Sequence, residues 1–142
     1  MYMKNIKLRL KELLENDKIK CLQQFLGLKE DRIIYLWKSG EFLPNTEHFI
    51  KLSKFFNCSL DFLFCRTDDF GYGISVLIDF DERLKEIMQE KGITQYKMVV
   101  KDKICSSNNF FKWFKLKADP MPETLIKLAD YFGVSVDYLL GG

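Results

Sequence analysis

The sequence predicts an all-α fold made of two small helical domains in tandem. Three observations predict it: the chain repeats itself, its apolar residues recur at helical spacing, and Gly or Pro punctuates the ends of those stretches. Arg9-Leu-Lys-Glu12 returns as Arg83-Leu-Lys-Glu86, 74 residues on. Ile50-Lys-Leu52 returns as Ile126-Lys-Leu128, and Ser59-Leu-Asp-Phe-Leu63 as Ser135-Val-Asp-Tyr-Leu139, both 76 residues on. Trp37, Glu47 and Phe56 match Trp113, Glu123 and Phe132 in the same way. The drift in offset places a two-residue deficit in the first copy, between its first and second helices. Two copies of about 60 residues are too few for a solenoid, so each is read as a domain. The expected boundaries are 1–65, a linker over 66–78, and 79–142.

In the second copy, Leu84, Ile87 and Met88 mark the inner face of a helix from about Asp81 to Lys91. Asp79 with Glu82 is a candidate capping box, and Gly92 ends the helix. Thr94 caps a second helix with Met98 and Val99 inward, and a turn follows near Asp102 and Lys103. Phe110, Trp113 and Phe114 give a third helix its i, i+3, i+4 stripe. Pro120 and Pro122 break the pattern, and Pro122 suits the first turn of a fourth helix carrying Leu125, Leu128, Ala129 and Phe132. Gly133 closes it, and Ser135 caps a short fifth helix through Leu139 and Leu140.

The first copy follows the same plan. Leu10, Leu13 and Leu14 face inward, then Leu22 and Leu26, with Gly27 in the turn; Ile34 and Trp37 follow, then Phe49, Leu52, Phe55 and Phe56. The 13 phenylalanines read as core filling. Thr67, Asp68, Asp69, Gly71 and Gly73 read as a turn-rich linker. Ile74–Ile78 is too apolar for a free tether, and Ile74 to Val76 should be covered at least in part.

Composition narrows the function. Apolar residues at 47% and charged residues at 30% suit a folded chain, not a disordered one. No apolar run reaches the roughly 18 residues of a membrane span, and no signal peptide is visible, so a cytoplasmic protein with no membrane partner is expected. Lys plus Arg is 22 against 20 for Asp plus Glu, so any electrostatic function depends on where the charges sit. Cys21, Cys58, Cys65 and Cys105 form no C-x-x-C pair and His48 is the single histidine, so no metal site is expected and the thiols read as free. No nucleophile–base pair, Gly-rich phosphate loop or tight carboxylate pair appears, so neither an enzyme nor a cofactor is expected.

The stretch Arg83-Leu-Lys-Glu-Ile87, Lys91-Gly-Ile-Thr-Gln95, Trp113 and Pro122 to Gly141 closely resembles the lambda-repressor-like (Xre or Cro type) helix-turn-helix family. Residues from about Ile6 to Phe64 resemble a diverged second member. The resemblance implies two tandem five-helix domains, duplex DNA as partner, a third helix in the major groove, and often a dimer. The sequence departs from the family in three places. Asp102-Lys103 replaces the usual Leu-Gly of the turn, both copies carry one extra residue before the tryptophan, and Lys18-Ile19 stands where the second copy has Thr94-Gln95.

The charge pattern favours the second copy for DNA. Residues 97–117 hold six lysines against Asp102 alone, a net +5, whereas 21–41 hold three cations against three anions. With Phe110, Trp113 and Phe114 inward, Asn108, Lys112 and Lys115 fall on the opposite face, and Ser106 and Ser107 lie at the helix start. Ser106, Ser107, Asn108 and Lys112 are therefore candidate base contacts. Gln95, Lys97, Lys103, Lys115 and Lys117 are candidate phosphate contacts, Gln95 by the resemblance. The first copy offers Glu30 and Asp31 at the equivalent entrance, which repel phosphate, and Tyr35 and Leu36, which suit a protein contact. The expected function is a sequence-specific double-stranded DNA-binding transcriptional regulator, a repressor, acting as a homodimer through the second copy. The alternative is a protein-interaction module on the same scaffold. With no separate ligand domain in sight, no small-molecule ligand is expected.

Overall fold

Helices form where apolar residues recur, and the described residues contain no strand beyond one antiparallel bridge, Leu77 to Gly141. The computed structural model describes residues 2–141. It divides into two units, Met1–Ile74 and Ser75–Gly142.

The first unit comprises α1 (Tyr2–Leu13), α2 (Asn16–Leu26), α3 (Arg32–Ser39), α4 (Thr46–Phe56) and α5 (Leu60–Leu63). Ile6, Leu10, Leu22, Ile34, Trp37, Phe49 and Leu52 are buried from their several helices into one core. Leu13, Phe55 and Phe56 are only half-buried. Asn45 caps α4 by accepting from the His48 N–H at 2.8 Å, and Ser59 caps α5 by accepting from the Phe62 N–H at 3.0 Å. Phenylalanine is not simply core filling here. Phe25, Phe42, Phe70 and, in the second unit, Phe111 are 44–58% exposed. Each lies at a helix edge or in a loop, where a core this small has no room left for it.

Residues read as linker are tied to this unit. Ser59 N–H donates to the Phe70 carbonyl at 2.9 Å, and Gly73 N–H donates to Asn57 Oδ1 at 3.0 Å. A Cβ at Gly73 would come within 2.7 Å of the Ser53 carbonyl, so this close approach requires glycine. Ile74 is buried, but Val76 and Leu77 are exposed, so the expected cover reaches Ile74 and stops there.

The second unit comprises α6 (Phe80–Lys91), a helix over 95–101 whose Lys97–Lys101 portion is a π-turn, α7 (Ser107–Phe114), α8 (Pro122–Phe132) and α9 (Val136–Leu140). Leu84, Ile87, Met98, Phe110, Trp113, Leu125, Leu128, Ala129, Phe132 and Leu139 are buried. Val99 and Phe114 are half-buried. Thr94 caps the 95–101 helix through the Lys97 N–H, and Ser135 caps α9 through the Tyr138 N–H. The expected capping box at Asp79 is not made, because Asp79 forms no side-chain cap bond. The chain enters α6 in an extended path held by Ile78 N–H on the Leu140 carbonyl. The capping box of this unit joins Ser106 and Asn109 instead.

One arginine closes each unit. Arg9 Nη1 donates to the Phe62 and Thr67 carbonyls at 2.6 and 3.0 Å, and its guanidinium lies 4.1 Å from the Phe62 ring centroid. Arg83 Nη2 donates to the Gly141 carbonyl at 3.1 Å and sits 4.0 Å from the Tyr138 ring centroid. Arg83→Ala removes a buried charge-assisted hydrogen bond and a cation–π contact and should cost about 2–4 kcal/mol. Arg83→Lys should recover only part of it, since an ammonium cannot both stack and reach the carbonyl in a planar fork. Urea unfolding of the three proteins measures both.

His48 packs against Trp37 with centroids 5.0 Å apart and the rings tilted 54° to one another. Burial lowers its pKa below the ordinary 6.5, against an upward pull from Glu47 and with a further downward push from Lys51. A depressed histidine means that the unfolded chain binds the proton more readily. Its contribution is therefore whole above about pH 6.5 and declines as pH falls through that value. Thermal unfolding at pH 7.5 and 5.5 should show a smaller acid-induced drop in midpoint for His48→Phe, which keeps a neutral ring against Trp37, than for the unchanged protein.

Candidate nucleic-acid interface

The candidate surface starts at the end of the 95–101 helix. Asp102 N–H donates to the Lys97 carbonyl at 2.8 Å, the i to i−5 bond of a π-turn. The same wide turn brings Lys97 Nζ to Asp102 Oδ2 at 3.0 Å. Tyr131 of α8 donates its hydroxyl to the same carboxylate at 2.5 Å. These two partners, the hydroxyl first, hold the Asp102 carboxyl below its usual range. Burial, then this hydrogen bond, pushes the Tyr131 hydroxyl up to about 12. Asp102 therefore fastens the turn to α8 through a polar contact, where the matching residue of the first unit is the buried Leu26.

Lys103 then adopts φ +51°, in the left-handed region. At the 76-residue offset the first unit has Gly27, with φ +71°. Both units thus place a left-handed residue at this position, although only the second reaches it through a π-turn, and lysine adopts it at a steric cost that glycine does not bear. The lysine side chain is carried outward and exposed.

Ser106 caps α7 by accepting from the Asn109 N–H at 3.1 Å, and Asn109 Oδ1 accepts from the Ser106 N–H at 2.8 Å and from the Ser106 hydroxyl at 2.9 Å. The cap fixes the helix start and occupies the Ser106 hydroxyl. Ser107, Asn108 and Lys112 are exposed along α7, with Phe110 and Trp113 buried behind them. Trp113 is buried and meets Phe80 of α6 edge-on at a centroid distance of 5.3 Å, a contact between helices that fixes the rotation of α7 about its axis.

The candidate phosphate contacts divide into two groups. Gln95, Lys103 and Lys115 are exposed. Lys97 is paired to Asp102, and Lys117 is paired to Asp81 in the first turn of α6. That hydrogen bond lowers the Asp81 pKa and raises that of Lys117. The open positive charge of 97–117 is therefore smaller than its composition implies, because Asp81, outside that stretch, pairs with Lys117. The missed residues, Asp81 and Tyr131, carry no local signal in the sequence; each meets its partner only through tertiary packing.

In the first unit, α3 begins only at Arg32, so Glu30 and Asp31 precede it, and Asp31 makes no side-chain cap bond. Tyr35 is 46% exposed. Leu36 is half-buried and lines a shallow groove with Leu28, Ile33 and Arg32. Among the described residues, no cluster of three or more His, Cys, Asp or Glu is placed to hold a metal ion, and no helix is long and apolar enough to cross a membrane.

Comparison with known proteins agrees with a helix-turn-helix reading at a coarse level. Over 60 residues the chain is 42% identical to the HTH-type transcriptional regulator ImmR of Bacillus subtilis (strain 168). The match covers 42% of this chain and 46% of that protein, so the chain spans less than half the length of its curated relative. No protein-family model and no solved structure matches the chain.

Proposed function

We propose that the protein is a sequence-specific double-stranded DNA-binding transcriptional regulator, a repressor, that reads DNA with α7 of a tandem pair of helix-turn-helix domains. The observation that carries this reading is the exposed row of Ser107, Asn108 and Lys112 on a helix whose rotation is fixed by Trp113. Asn108 can pair with adenine and Lys112 with guanine, while Lys103 and Lys115 neutralise phosphate on either side. The name of the ImmR relative supports the same class. One reading helix per chain suits a homodimer spanning two half-sites about one DNA turn, roughly 34 Å, apart.

The first domain serves a protein contact in this reading. Glu30 and Asp31 oppose phosphate, and Tyr35 with the Leu36 groove leaves apolar surface where a reading helix is polar. A protein-interaction module without specific DNA binding is the second reading, and this groove is what favours it.

Selection of bound duplexes from a random pool supplies the site. On that site, Lys112→Ala should cost about 1–3 kcal/mol with relaxed preference at one base pair if Lys112 reads a base. If it contacts phosphate only, the loss should be even across sequences and the salt slope should fall by about one. Arg32→Ala should do neither, and saturation should require two chains per site. Equal losses for both variants would assign DNA reading to both domains. Absence of salt-dependent binding would leave the interaction module.

Lys103→Gly separates stability from binding. It relieves the left-handed strain and should raise stability by about 1 kcal/mol, while removing one phosphate contact and so weakening duplex binding at low salt. Urea unfolding and a two-salt titration should move in opposite directions.

A further inference from the structure

The second unit carries an apolar groove of about 680 Å³ between the C-terminal end of α6, the start of the 95–101 helix and α7. Met88, Ile93, Phe110, Phe111 and Phe114 line it. The Phe110 and Phe114 rings stack on one another, 5° from parallel with centroids 5.7 Å apart, and form the α7 wall of the groove. Phe111 stands 52% exposed beside them, an aromatic ring left in water on a face where the rest of α7 is polar. The volume is that of an ordinary small-molecule site, and the chemistry is the usual one of apolar walls with a few polar groups. Lys85 from α6 and Lys115 from the end of α7 also line it, and neither Asp nor Glu does. The groove's charge is therefore positive.

We infer that this groove binds a small amphipathic anion, an apolar chain or ring carrying one carboxylate, and that such a ligand competes with DNA. The apolar body covers the Phe110–Phe114 wall and Phe111, and the carboxylate meets Lys85 and Lys115. The competition rests on the DNA reading above, because Gln95, Ser107 and Lys115 line the groove and are also candidate DNA contacts. Ser107, Phe111 and Lys115 follow one another at four-residue spacing, so a ligand along that stripe covers the flank of the reading helix. Binding itself does not depend on the DNA reading. Competition at this helix would give a metabolite of that class a route to release the DNA.

The test titrates the full chain, labelled for NMR, with sodium decanoate and separately with decyltrimethylammonium, each below its micelle concentration. Decanoate should give saturable shifts at the amides of Gly92, Ile93, Phe111 and Lys115, with affinity about tenfold above that of the cation. Equal affinities, shifts scattered over the surface, or no saturation would overturn the inference. Phe111→Ala, at an exposed position, should weaken decanoate about tenfold, and Lys85→Glu about fivefold. Unchanged affinity in both variants would also overturn it. With the selected duplex present, decanoate and duplex should weaken each other by the same factor. Independent binding of the two would overturn the competition. Decanoate binding by a chain that binds no duplex would uphold the groove and remove the DNA reading instead.

Discussion

Each unit depends on an arginine that joins its first helix to its last. α5 has four residues and α9 has five, far too short to persist on their own. They survive because a serine caps each start and because Arg9 or Arg83 lies over the aromatic ring three residues after that serine, Phe62 or Tyr138, while donating to a nearby carbonyl. Leu60 and Leu63, and Val136 and Leu139, then stay buried against the first helix of their own unit. With that end closed, the tryptophan-bearing helix has a fixed wall to pack on. The two most visible repeats in the sequence, Arg-Leu-Lys-Glu and Ser-x-Asp-aromatic-Leu, are thus the two halves of one contact.

Electrostatics sharpen the candidate interface by subtraction. Asp102 and Asp81 occupy Lys97 and Lys117, so the open charge of this stretch lies on Lys101, Lys103, Lys112 and Lys115. Lys97 and Lys117 serve the framework: one secures the π-turn and the other joins the loop after α7 to the start of α6. A lysine at the left-handed turn position fits the same pattern, since the strain at Lys103 sets a cation outward where Gly27 offers none.

α7 presents three different faces from eight residues. Phe110 and Trp113 point into the core, Asn108 and Lys112 face water, and Ser107, Phe111 and Phe114 border the groove. A 100° step per residue allows this division, and the parallel stacking of Phe110 on Phe114 joins the core face to the groove face. Any occupant of the groove therefore acts on the same helix that carries the proposed base contacts.

The helical class, the internal repeat, the helix order and most caps are legible along the chain, because they depend on local spacing and on short-range bonds. Gly92, Gly133, Thr94 and Ser135 do what their positions imply, and Trp37 and Trp113 are buried in matching helices. Pattern alone cannot say which apolar residues remain outside, since a small core fills before its phenylalanines run out; hence Phe25, Phe42, Phe70 and Phe111 are exposed where periodicity would count every phenylalanine as core. Nor could it foresee that the Asp79 cap goes unmade or that 67–74 is bound to the first unit. The pairing of Lys117 with Asp81 and of Asp102 with Tyr131, and the groove beside α7, were decided only by the tertiary structure. Each joins residues about 20 to 36 positions apart, and at such distances side-chain contact is set by how helices cross and not by periodicity along one of them.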